Sequence, residues 1–361
     1  MTRSTQSRAA ADRRRWYLRH RVPALLLVNL AALAFVSLLL EAAYRGQWID
    51  FHRTDLAGSN RPETLAASSR PTILALGDSF TAGLDNWPAR LQKRLGPGTR
   101  VVNSGVGGTT IRQMRIIAEG RLRRFDPRLV ICQVYTGNDL VDLRHPTAAG
   151  QIGRLRRFYW SVTDRGWLVP WYLNTRLRQT LDRWSRDRRM DPTEIERLSA
   201  EMEARPFAVD DYSPRSAELL AASPTLIADQ IAVTGEMAEA WSVYEAELER
   251  LVSLCGAREA PLLLVVVPHC VQVHPGYADR FRALGATFPD PVVLTTAEAP
   301  FVARLRAAVA HHPGVEVLDV LPLMRLAETT GDDLYFANDP HLNRNGREVL
   351  SGVIADAVQT R

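Results

Sequence analysis

From residue 71 onward the chain alternates short apolar runs with longer stretches of helical period. The runs fall at 72–76, 100–102, 129–134, 261–267 and 315–320. Runs so short and so continuously apolar predict strands buried on both faces, and helices between them predict right-handed parallel crossovers. The expected class is α/β with a parallel sheet. One connection breaks the pattern. About 126 residues separate the third run from the fourth, whereas a strand-helix-strand unit needs roughly a few dozen. A large, mostly helical insertion is therefore expected, at about 141–235.

Upstream the pattern is of another kind. Residues 22–40, VPALLLVNLAALAFVSLLL, contain no charge and are interrupted only by Asn29 and Ser37. At 1.5 Å per residue these 19 residues span about 28 Å, close to the roughly 30 Å hydrocarbon core of a bilayer. A cleavable leader has a shorter apolar core and a small-x-small site after it; here Glu41 occupies the first outer position of the only nearby alanine pair. The run is read as an uncleaved transmembrane anchor. Residues 41–70 show no sustained period and are read as a linker or a loosely packed entry to the domain, which then extends over 71–361.

Charge sharpens this layout. The 361 residues carry a formal net charge of +5, but residues 1–21 hold seven Arg and one Asp, a net of +6. The remainder is close to neutral. The basic balance is thus a tail, and no nucleic-acid partner is implied. Arginines flanking a first span stay on the cytoplasmic side, which places everything after residue 40 outside the cytoplasm. Within the insertion the charge divides again: residues 154–189 hold ten Arg against three Asp, and residues 191–250 hold fourteen acids against four Arg. The two halves are expected to face each other. The basic half also carries Phe158, Tyr159, Trp160, Trp167, Trp171, Tyr172 and Trp184, which suits either a packed helical cap or contact with sugar or lipid.

The candidate chemistry lies at the ends of the strand runs. The first ends in Gly77, Asp78 and Ser79. In open α/β sheets ligands bind at the carboxyl ends of the strands, so Ser79 is a candidate nucleophile. Gly-Asp-Ser is also an ordinary turn. Three further segments are delivered to the same crevice: NSGVGGTT at 103–110, TGND at 136–139 and NDPHLN at 338–343. Together with GDSF at 77–80 the set resembles the SGNH, or GDSL-type, hydrolases, in their membrane-anchored bacterial form. The resemblance covers 71–140, about 315–358 and the fourth strand. It implies a flavodoxin-like sheet and a Ser, Gly, Asn and His supplied by the four blocks in this order.

Acyl-ester cleavage requires a hydroxyl activated by a base, and donors aimed at the developing oxyanion. Ser79 is the expected nucleophile and His341 the base that takes and returns its proton. The backbone N–H groups of Ser79 and Gly105 and the side-chain amide of Asn138 are the expected oxyanion hole. The sequence departs from the family pattern twice. The acid usually stands three residues before the histidine, where Asn338 is found; Asp339 stands two before it, a spacing that family members also use, and is taken as the orienting carboxylate with Asp333 in reserve. In the third block Thr136 occupies the place more often given to glycine.

Other groups carry less. His311 and His312 read as an exposed helix end, and no metal site is expected. His269 and His274 flank Cys270 in the loop after the fourth strand, which opens at the active end, so substrate contact is weighed for both. Cys132, in a strand run, is expected to be inert packing, and neither it nor Cys255 is paired with a histidine in sequence. No Walker loop, dinucleotide fingerprint or HExxH stretch occurs, so no cofactor is expected. The sequence reading is a membrane-anchored, extracytoplasmic serine esterase acting on short acyl groups, acetyl first, of an envelope glycan or related ester. An O-acyltransferase using the same serine is the alternative, and a non-catalytic glycan- or lipid-binding adaptor is the alternative of another class.

Overall fold

The computed structural model describes residues 3–144, 167–170, 172, 173, 176, 177, 197, 200–331 and 333–361. Five strands, β1 (Thr72–Leu76), β2 (Arg100–Asn103), β3 (Leu129–Tyr135), β4 (Leu262–Val267) and β5 (Val315–Asp319), form one sheet in the order β2-β1-β3-β4-β5. Every pairing is parallel. This is the flavodoxin-like order, in which the chain reverses direction across the sheet between β1 and β3 and leaves a crevice beyond their carboxyl ends.

All residues of β1 to β4 are buried, the polar Thr72, Arg100, Asn103 and Gln133 included. The fifth run differs from the expectation of burial on both faces. As an edge strand β5 is only partly covered, with Glu316 exposed and paired to Arg361; a charge on an edge also blunts it against pairing with another chain.

Among the helices are α1 (Arg3–Arg45), α2 (Trp87–Leu95), α3 (Ile111–Phe125), α4 (Asp139–Arg144), α5 (Glu236–Gly256), α6 (Pro300–Val309), α7 (Leu321–Thr329) and α8 (Arg344–Gln359), with further helices of four to nine residues between them. A capping box of Thr110 and Gln113 opens α3. The Asn343 side chain caps α8 by accepting the Gly346 N–H at 3.0 Å. These caps start α3 and α8 just after the second and fourth sequence blocks, so the blocks sit where helix begins.

Helix α1 includes one stretch, Arg21–Arg45, long and apolar enough to cross a membrane. Its large apolar side chains from Leu25 to Leu39 are exposed; Val28 is 66% and Leu33 64% exposed. Residues 41–70 are not the loose linker expected from sequence. Tyr44 is fully buried with Ile116, Leu168 and Val169, and its hydroxyl meets His52 Nε2 at 2.8 Å. The Glu41 carboxylate accepts the N–H groups of Leu168 and Val169 at 2.9–3.0 Å. Arg121 forks onto Asp50 at 2.6 and 3.0 Å, and Asn60 exchanges bonds with the backbone of Asn103 at 2.6 and 2.9 Å. The segment packs through single residues on short turns, which leaves no period to read.

The helical insertion between β3 and β4 falls partly outside the described residues, including the aromatics at 158–160, 171 and 184. Of its basic half, Tyr172 donates to the Phe51 carbonyl at 3.1 Å and Arg176 pairs with Asp55. Of its acidic half, Glu247 pairs with Arg112 and Arg115 of α3. These charges face other parts of the protein, where the sequence suggested that they face one another. Helices Pro214–Ala222, Leu226–Ala232 and α5 complete the connection.

Candidate active site

The first block is built by exclusion. A side chain on Gly77 would meet Thr81 Oγ1 at 2.1 Å and Gln133 Oε1 at 2.5 Å, so only glycine lets β1 turn there. The following turn is tied by Asp78, whose carboxylate accepts the Phe80 N–H at 2.9 Å and whose carbonyl accepts the N–H groups of Thr81 and Ala82. This presents Ser79 toward the crevice.

His341 arrives from the opposite end of the chain. Its carbonyl accepts the Phe336 N–H at 3.1 Å, and an antiparallel bridge joins Tyr335 to Leu342, so a short hairpin fixes it ahead of α8. Ser79 Oγ lies 2.7 Å from His341 Nε2 across 262 residues of sequence. On the other side of the ring, Asp339 binds Nδ1 and also accepts the His341 backbone N–H at 2.8 Å. Asp333, the reserve acid, is exposed and 3.5 Å from Arg280 instead. Geometry thus assigns the carboxylate next to the imidazole to Asp339.

Burial alone would push the His341 pKa down. The hydrogen bond and charge of Asp339, with a smaller contribution from Asp78, outweigh it and raise the pKa above the ordinary histidine value. Burial likewise disfavours the Asp339 carboxylate, and the bonds from His341 overcome that to hold its pKa below the usual range. An anionic acid is therefore paired with an imidazole made more basic.

Of the three expected oxyanion donors, the structure brings two to the crevice. The Ser79 N–H makes no hydrogen bond among the described residues. Asn138 Nδ2 donates one hydrogen to Asp78 Oδ2 at 3.1 Å, which fixes the amide and leaves its second hydrogen available. Gly105 does not join them. Its N–H donates to Asn103 Oδ1 at 3.0 Å, and a Cβ there would lie 2.6 Å from the Ala82 nitrogen, beneath the serine turn. Three residues on, Gly108 lines the crevice at φ +73°, and its N–H is unbonded among the described residues. The signal was the Gly107-Gly108 pair, but which glycine of NSGVGGTT reaches the crevice depends on the path of the loop.

The two histidines after β4 part company. His269 is buried, stacks on Tyr135 at 6.0 Å and lines the crevice. Burial holds its pKa down to about 3, so the ring is neutral. His274 is exposed and caps the next turn by accepting the Gly276 N–H at 3.1 Å. His311 and His312 lie at a helix end beside Glu249, with His312 Nε2 2.8 Å from the carboxylate. Cys132, Cys255 and Cys270 are free and buried, and burial pushes all three thiols up, Cys255 to about 12. None is poised as a thiolate.

A profile of the GDSL-like lipase/acylhydrolase family matches residues 75–349, which span all four blocks and the insertion. The chain belongs to this family. It is an ester-bond hydrolase by that membership. No curated protein matches it. Among solved structures, the acetylxylan esterase Axe2 of Geobacillus stearothermophilus, as a catalytic mutant, is 12% identical with a TM-score of 0.41, covering 81% of this chain and 95% of its own. The esterase EstA of Pseudoalteromonas sp., inhibited by monoethylphosphonate, is 12% identical with a TM-score of 0.36, covering 80% and 97%. TesA is 17% identical with a TM-score of 0.37, covering 80% and 98%. In the hydrolase, the family match and the crevice at the β1/β3 reversal fall on the same residues.

Proposed function

We propose that the hydrolase is a serine esterase that carries its acyl group on Ser79, with α1 as a membrane anchor and the catalytic domain outside the cytoplasm. The observation that carries this reading is the 2.7 Å contact of Ser79 Oγ with His341 Nε2, with Asp339 on the far side of the ring. His341 takes the Ser79 proton as the oxygen attacks the ester carbonyl. The oxyanion receives the N–H groups of Ser79 and Gly108 and the Asn138 amide. The proton then passes to the departing alcohol, leaving acyl-Ser79, and a water activated by the same imidazole releases the acid. Asp339 holds the imidazole in its productive tautomer and stabilises the imidazolium.

The anchor is supported by the bare apolar stretch of α1, and the orientation by the arginines that lie ahead of that stretch in the same helix. An envelope ester follows from that location alone, and the acetyl group expected from sequence has less support than the esterase chemistry. The test is labelling of the full-length protein by a fluorophosphonate. Wild type should label once and Ser79→Ala not at all; equal labelling of the two would remove Ser79 as the nucleophile.

A further inference from the structure

The cavity that opens on Ser79 has more room than an acetyl group needs. Its volume is about 250 Å³. Its polar end is formed by Ser79, Asn138 and His341, and Asp142 stands one turn beyond Asn138. The remaining wall is largely apolar: Val141 of α4, Leu219 and Leu220 of the helix Pro214–Ala222, Leu226 and Ile227 of the helix Leu226–Ala232, and Phe281. Except for the half-buried Leu219, these six side chains are buried in the folded protein, so the wall is preformed. His269, on the same wall, stays neutral at physiological pH and brings no charge to it.

An aliphatic cavity of roughly 150 Å³ accommodates a benzene ring, which by proportion gives this one space for about ten non-hydrogen atoms. An acetyl group brings two carbons and an oxygen, and would leave most of the apolar wall without contact. We infer that the cavity receives an aliphatic acyl chain of about six to ten carbons, lying along Val141, Leu220, Leu226, Ile227 and Phe281 with its carbonyl at Ser79. This rests on the acyl-Ser79 reading and names the substrate class of that site: esters of medium-chain carboxylic acids. Five of the six wall residues belong to the connection between β3 and β4, and Phe281 to the helix Pro275–Ala283 after β4, so acyl length is selected by elements outside the four blocks.

The experiment measures kcat/KM of the full-length protein in phospholipid nanodiscs for p-nitrophenyl acetate, butyrate, octanoate and dodecanoate, with fluorophosphonate labelling of Ser79 run in parallel. In wild type, kcat/KM should climb from acetate to octanoate by up to about fourfold per buried methylene. Ile227→Trp, which fills the cavity, should lower the octanoate-to-acetate ratio at least tenfold, and Leu220→Ala, which enlarges it, should move the optimum toward dodecanoate. If Ile227→Trp loses its cooperative thermal melt, Leu220→Ala with Leu226→Ala decide the matter by the direction of their shift. A wild-type rate that falls with chain length while Ser79 still labels would overturn the acyl-chain inference and leave the serine esterase standing. The same holds for a ratio indifferent to these substitutions. Absence of both turnover and labelling in wild type would overturn the nucleophile and the acyl chain together.

Discussion

At the scale of single residues the site is an arrangement of charge around one imidazole. Because Asp339 makes His341 more basic than an ordinary histidine, the neutral imidazole that the proposed attack requires is lost on acidification earlier than it would be otherwise. The acid limb of kcat/KM should therefore lie above pH about 6.5, and in Asp339→Asn it should move to lower pH while kcat falls by about 10⁴. A pH-rate profile of both proteins measures this, and an unmoved limb would detach Asp339 from His341. The two glycine and amide positions separate chemistry from folding. Asn138→Ala removes a proposed oxyanion donor and should cost about 10²–10³ in kcat with little change in melting temperature. Gly105→Ala forces a methyl to 2.6 Å from a backbone nitrogen and should instead destabilise by about 1–3 kcal/mol, seen in a thermal melt. Ser79, Asn138 and His341 are legible in the sequence because each follows a strand or a turn that ends at the same crevice. The choice between Gly105 and Gly108 is not, since three residues of loop decide whether an N–H faces the substrate or the Asn103 side chain.

At the scale of elements, continuous apolar runs identified β1 to β4 because burial on both faces leaves no room for alternation, and the chain order of helices fixed them as parallel. The same logic overstates β5, an edge strand that carries Glu316 and Asp319 and is partly open, whereas the other edge strand, β2, is covered by contacts from Asn60 and Ala66. Residues 41–70 escape a periodicity reading because their buried groups, Tyr44, His52, Leu56 and Asn60, are isolated contacts on short turns. They act as a clasp between α1 and the catalytic domain. Tyr44→Ala removes a fully buried ring together with the His52 contact and should destabilise the full-length protein by about 3–5 kcal/mol. A chain beginning at Glu41 keeps the clasp and should melt cooperatively, whereas one beginning at Pro71 exposes Ile116 and leaves Arg121 without Asp50. Comparing the two by thermal denaturation tests the clasp; equal melting temperatures would return the segment to the status of a tether.

At the scale of the whole molecule, the charge that looks like a property of the protein is a property of one end. The +6 tail is the first part of α1, its bare apolar stretch follows, and the helix runs without a break into a junction packed against α3. Buried contacts of Tyr44 thus join α1 to the catalytic domain, and the proposed topology fixes which side of the bilayer the Ser79 crevice serves. The three native cysteines are buried, at 0–2% exposure, so introduced thiols report topology without background. Trp48, just past α1, is 72% exposed and replaceable. With a membrane-impermeant maleimide, Trp48→Cys should label in right-side-out vesicles and Ser4→Cys only in inside-out ones, as retention of arginines on the cytoplasmic face requires. The reverse pattern would place the esterase in the cytoplasm, and the substrate would then have to be an ester on the inner face of the membrane, with the same crevice and the same acyl wall.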